Sequence, residues 1–108
     1  MQVIVLVHCT RGSSLRDSIV GRLGRSAEPD LVVSESRREG RNPGWTKIHS
    51  ADKKRGAINV QWVTESSILQ CRVVTRGTRE ISPIVGDFVT YLLDNHRSRI
   101  KAITLTSL

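Results

Sequence analysis

The sequence predicts a two-layer α+β sandwich: one mixed β-sheet with two helices on one face, in the order β-α-β-β-β-β-α-β, with residues 1–108 forming a single domain. Three observations carry this. Val3–Val7 is a continuous apolar run of strand length near the start of the chain. Two segments, one opening at Ser14 and one at Ser82, place apolar residues at helical spacing. Between them, from Trp45 to Thr75, the hydrophobic rhythm changes to period two.

Gln2–His8 reads as a central strand buried on both faces. Ser14 caps the first helix, with Asp17 three residues on placing an acid in the positive first turn. Leu15, Ile19 and Leu23 form its apolar stripe, with Val20 and Ala27 beside them, and Arg16, Arg22 and Arg25 point elsewhere. Glu28-Pro29-Asp30 stops the helix, and Leu31–Ser36 follows as a second strand, expected to lie parallel to the first through a right-handed crossover. Arg37–Gly44 (RREGRNPG) is a charged loop with turn chemistry. Trp45–His49, Ala57–Thr64 and Ser67–Thr75 read as an antiparallel meander, joined by Ser50–Gly56 and by a tight turn at Glu65-Ser66, with Arg76–Glu80 as its exit. Ser82-Pro83 starts the second helix, with Val85, Phe88, Val89, Leu92 and His96 on one face and Asn95 as a left-handed cap. Arg99–Leu108 closes the chain as a strand. Each helix is expected to join strands that are neighbours in the sheet. The order of elements resembles a ferredoxin-like frame with an extra hairpin.

The longest apolar run is too short to span a bilayer and has no signal-peptide flanks, so no membrane partner and a cytoplasmic location are expected. Cys9 and Cys71 read as two reduced thiols buried as small hydrophobes. They and the scattered His8, His49 and His96 have no metal-ligand spacing, and no motif implies a metal or other cofactor. The formal net charge is +7, carried by thirteen Arg and four Lys against ten acids. Arg forks to phosphate, so nucleic acid or another polyanion is a candidate partner. The arginines are spread along the whole chain, however, and charge alone speaks only of non-specific attraction.

The turns predict a register. Trp62 should face Leu69, Val60 should face Cys71, Ile58 should face Val73, Ile48 should face Ile58, and Thr46 should face Val60. One side is then core. The other carries Trp45, Lys47, His49, Asn59, Gln61, Gln70 and Arg72, with Val63, Ile68 and Val74 adding apolar area. This open face is the leading candidate site, and three readings of it compete. One is an ordinary wet sheet face, with Trp45 covered by the Arg37–Gly44 loop. Another is a homodimer seam, in which Val63, Ile68 and Val74 meet a second copy. The third is a recognition platform, in which Trp45 stacks on a base or other planar ligand while Lys47 and Arg72 hold a phosphate.

A second candidate lies at Val3–Ser18. A strand delivering His8-Cys9, a small-residue loop and a helix carrying Arg16 together resemble the phosphate loop of the cysteine phosphatases, a likeness that would imply Cys9 as nucleophile and an arginine clamp. That family separates Cys and Arg by five residues. Here six intervene, Thr10 to Leu15, and Leu15 stands where the clamp should be. No aspartate is singled out as general acid. The milder expectation is an anion held at the helix N-terminus by Thr10, Arg11, Gly12, Ser13, Ser14 and Arg16. With no motif of enzyme grade, the sequence points to a small soluble, non-enzymatic binding or accessory domain, homodimeric, using its open sheet face for a partner or anionic ligand. A nucleic-acid-binding module is the alternative, and a phosphoryl-transfer enzyme centred on Cys9 is a further one.

Overall fold

The computed structural model describes residues 1–25, 30–52, 56–76 and 80–108. The expected helix stop at Glu28-Pro29, the stripe residue Ala27, and parts of the loops 50–56 and 76–80 lie outside the described residues. The chain runs β1 (Gln2–Cys9), α1 (Leu15–Arg25), β2 (Leu31–Glu35), β3 (Trp45–Ser50), β4 (Ala57–Val63), β5 (Ile68–Val74), α2 (Ser82–His96), a single 3₁₀ turn (Arg97–Arg99) and β6 (Ile100–Ser107). The predicted order of elements therefore holds, in an α+β fold with one open six-stranded sheet.

The sheet order is β2-β3-β4-β5-β1-β6, and every neighbouring pair is antiparallel. The expectation of a mixed sheet, with each helix joining neighbouring parallel strands, is corrected. β1 and β2 do run in the same direction, but β5, β4 and β3 stand between them, and β5 and β6 are separated by β1. Each helix crosses over the strands it skips, and those strands supply the antiparallel pairing. With the β3–β4 hairpin set aside, the order β2-β5-β1-β6 remains, which is the ferredoxin-like plan. The predicted meander register is met at all five positions.

Alternation does the sorting of faces. Val5, Val7 and Cys9 of β1 join Leu69, Cys71 and Val73 of β5 and Ile58, Val60 and Trp62 of β4 in one buried cluster. Leu15, Ile19 and Leu23 of α1 and Ile84, Phe88, Tyr91 and Leu92 of α2 enter the same cluster, which puts both helices on that face. β1 is not buried on both sides, because Ile4, Leu6 and His8 lie half-buried on the opposite, helix-free face.

The helices show where local pattern yields to packing. Ser14 is the cap of α1, its Oγ accepting from the Asp17 amide at 3.2 Å. α2 is apolar over much of its girth, and the sheet selects Ile84 and Tyr91 for burial, leaving the expected Val85 and Val89 only partly covered. Asn95 is no left-handed cap. The helix passes it in right-handed conformation, and its Nδ2 donates to Tyr91 O at 2.9 Å while its Oδ1 accepts from Arg22 Nε of α1 at 2.6 Å. Ile81, not Ser82, stands before the first turn of α2.

Candidate functional site

Two regions carry the residues singled out in the sequence, and the structure treats them differently. At the first, β1 ends and the chain turns through Thr10–Ser14 into α1. Cys9 is 5% exposed, with its Sγ 3.5 Å from Val7 O. Burial pushes its thiol above the ordinary value, against the lowering influence of the Arg99 charge and of a backbone hydrogen bond at Leu69. A protonated, enclosed thiol lacks the thiolate character that nucleophilic chemistry requires.

The loop itself is organised around a cation. Arg99 Nη2 donates to Thr10 O at 3.2 Å and Ser13 O at 2.8 Å, and its Nε donates to Thr10 Oγ1 at 3.2 Å. Gly12 has φ +153°, and a Cβ there would come within 3.2 Å of Arg99 Nη2. Carbonyl oxygens therefore point at the guanidinium, whereas an anion site needs amide N–H groups pointing at the ligand. The expected anion-binding loop is corrected accordingly: Thr10, Gly12 and Ser13 wrap Arg99, Ser14 caps the helix, and Arg11 is exposed.

Arg16 is corrected most. It is 4% exposed, not solvent-facing. Its Nε donates to Trp45 O at 3.1 Å, its Nη2 to Ser36 O and its Nη1 to Asp17 Oδ1 at 2.7 Å. One buried guanidinium thus ties the residue before the Arg37–Gly44 loop to the residue after it. The closing end of that loop also lies against β4. A Cβ on Gly44 would meet Gln61 Nε2 and Trp62 O at 2.9 Å, so only glycine allows the approach.

The second region is the helix-free face. Lys47, Asn59 and Arg72 lie in one row across β3, β4 and β5, continued by Ile4 of β1. Trp45, Gln61 and Gln70 form the next row, continued by Leu6. Two shallow hollows open on this face and share Asn59 and Arg72. One, of about 480 Å³, adds Lys47, His49 and Arg76; the other, of about 380 Å³, adds Arg41, Gln61, Gln70 and Trp45. Among the described residues no Asp or Glu lines either hollow, and no hydrogen bond or ion pair engages Arg72. Lys47 stands across from Glu35 at the sheet margin, but that carboxylate is held by Arg38, which lowers its pKa from the ordinary value.

Trp45 is no stacking platform. It is 3% exposed, and the guanidinium groups of Arg38 and Arg41 lie 5.1 and 5.2 Å from its ring centroid. The Arg37–Gly44 loop covers it, as one of the sequence readings anticipated. Its buried Nε1 has no partner among the described residues. The three apolar residues of the expected seam also separate. Val63 and Ile68 pair across the β4–β5 turn, whereas Val74 lies at the other end of the strands, roughly 20 Å away at about 3.4 Å per residue.

Sequence reasoning missed Arg41, Arg76 and Ile4. For Arg76 a signal existed, since the parity of Arg72 and Val74 carries two residues past the strand end. For Ile4 none did, because its face depends on which strand β1 joins. Among the described residues there is no helix long and apolar enough to cross a membrane and no His/Cys/Asp/Glu cluster able to hold a metal ion. No protein-family model, no curated protein and no solved structure matches this chain, so the open face is read from its own chemistry.

Proposed function

We propose that the domain is a non-enzymatic binding module whose open sheet face takes an extended, phosphate-bearing ligand. One observation carries this reading. Two adjoining hollows are lined by Arg41, Lys47, Arg72 and Arg76 with amide side chains between them, and no carboxylate lines either one among the described residues. Cations flanked by Asn and Gln donors suit phosphate oxygens, and two hollows sharing Arg72 suit a ligand with more than one phosphate. The nucleic-acid reading is retained in a narrower form, as backbone contact without base stacking, because Trp45 is covered. Two buried, free thiols fit a reducing compartment, which supports a cytoplasmic location.

The test is fluorescence anisotropy with a labelled single-stranded oligonucleotide of mixed sequence and with inorganic polyphosphate. Affinity for at least one should fall steeply between about 50 and 200 mM salt, and each cation removed should shallow the log–log slope for the oligonucleotide by about 0.7. An Arg72→Ala protein that binds both as the parent does, or a parent that binds neither at the lower salt, would refute the reading.

A further inference from the structure

The two edges of the sheet are finished differently. β2 is five residues long, carries a register shift between Val33 and Glu35, and is followed at once by Ser36, whose carbonyl accepts from Arg16. Short, bulged edges resist pairing. β6 is the other edge, eight residues long, and Lys101 is its only charged residue. Its pairing with β1 is regular from Ala102 to Ser107. Leu108 N donates to Gln2 O at 3.2 Å, so by antiparallel alternation Thr104 and Thr106 turn their amides toward β1 while Ile103, Leu105 and Ser107 turn theirs outward. Beside this edge, on the helix side, a groove of about 470 Å³ is lined by Val89, Leu93, Ile103 and Leu105 together with the cations Arg97 and Lys101. Leu93 is 44% exposed and Leu105 57% exposed.

We propose that β6 pairs with β6 of a second copy of this chain, antiparallel across a two-fold axis at Thr104. The strand is self-complementary in that register. Ile103 of one copy faces Leu105 of the other, Ala102 faces Thr106, and Lys101 faces Ser107, which keeps the two lysines at opposite ends. Ile103 and Leu105 share the face of Val7 and Val5, so the apolar layer continues across the axis beneath Val89 and Leu93. Eight residues at about 3.4 Å by two layers of structure cover on the order of 500 Å² of each copy, which reaches the roughly 1,000 Å² total that a specific interface requires. A slip by one residue would turn Ile103 against a threonine, and Leu105 against Thr104 or Ala102. The twelve-stranded sheet so formed leaves Lys47 and Arg72 uncovered in both copies, so this inference does not rest on the ligand proposed above.

Sedimentation equilibrium over a wide concentration range should give a species of twice the 12.1 kDa chain mass. Leu105→Lys, at an already exposed position, should return it to the single mass with an unchanged circular dichroism spectrum. Thr104→Cys should cross-link to itself under mild oxidation, because a non-hydrogen-bonded antiparallel pair brings Cα atoms to about 4.5 Å, within disulfide reach. The native Cys9 and Cys71 are buried and do not compete. A monomer at every concentration overturns the proposal. So does a dimer that survives Leu105→Lys, that forms no Thr104→Cys cross-link, or that is split by Val63→Lys on the open face and not by Leu105→Lys.

Discussion

Arginines at the loop after β1 and arginines on the open face of the sheet differ in what meets their guanidinium groups. In the loop the guanidinium of Arg99 is spent on Thr10 and Ser13, and at the start of α1 that of Arg16 is spent on Ser36, Trp45 and Asp17. These arginines act as cross-links between chain segments, their charge met by carbonyl and carboxylate oxygens. On the open face Lys47, Arg72 and Arg76 rise from strands and a strand end whose carbonyls are engaged in the ladder. Arginine content alone is therefore a poor guide to an anion site. What decides is whether oxygen atoms of the same chain have already claimed the donors.

That contrast can be broken or sharpened by substitution. The largest effect is expected at Arg16. Arg16→Ala leaves the Ser36 and Trp45 carbonyls without their donor and should cost about 2–3 kcal/mol in chemical denaturation. Arg16→Lys should recover little of it, since an ammonium cannot span the same fork. An Arg16→Ala loss below about 0.5 kcal/mol, the range of ordinary surface changes, would show that the buried clamp holds nothing. Next is Arg99→Ala, expected to cost about 1–2 kcal/mol because two carbonyls and a hydroxyl lose one shared partner at a half-buried site.

Arg72→Ala should behave in the opposite sense. Stability should stay within about 0.5 kcal/mol of the parent, while affinity for a phosphate-bearing ligand falls about tenfold, the loss of one charge-assisted contact. A destabilised Arg72→Ala protein with undiminished binding would erase the distinction between the two regions.

The smallest effect is a pH dependence at the far end of α2. His96 is 8% exposed, shares a 2.8 Å hydrogen bond with Tyr91 Oη, and has its pKa lowered from 6.5 by burial and by the Arg22 and Arg99 charges. Unfolding frees the imidazole to take up a proton. Its contribution is therefore fully present above about pH 6.5 and is lost as pH falls through that value toward the lower folded-state pKa. Thermal melts should shift downward between about pH 7 and 5, with a smaller shift in His96→Gln. Equal shifts in both proteins would place the acid sensitivity elsewhere.

Much of the architecture was legible because it rests on local periodicity. The meander register follows from the alternation of Ile58, Val60 and Trp62 against Leu69, Cys71 and Val73, and from a tight turn. The α1 stripe and its Ser14 cap are set by residues three and four apart. The cysteine loop was legible in part, since counting from Cys9 already set Arg16 one residue beyond the spacing of a phosphate clamp. That Arg99, almost ninety residues away, fills the loop is a long-range fact with no local signature.

What the sequence determined by itself was the list of elements, the core side of the three meander strands, and the row of Lys47, Asn59 and Arg72 across them. Each follows from a side-chain period of two or 3.6 residues that any neighbour must respect. The tertiary structure decided which strands are neighbours, and with that the all-antiparallel sheet, the half-buried setting of Ile4 and Leu6, and the long unblunted edge of β6. It also decided which arginines are consumed. Strand adjacency and guanidinium bonding depend on contacts between segments far apart in the chain, whose geometry is settled only when the helices pack across the sheet.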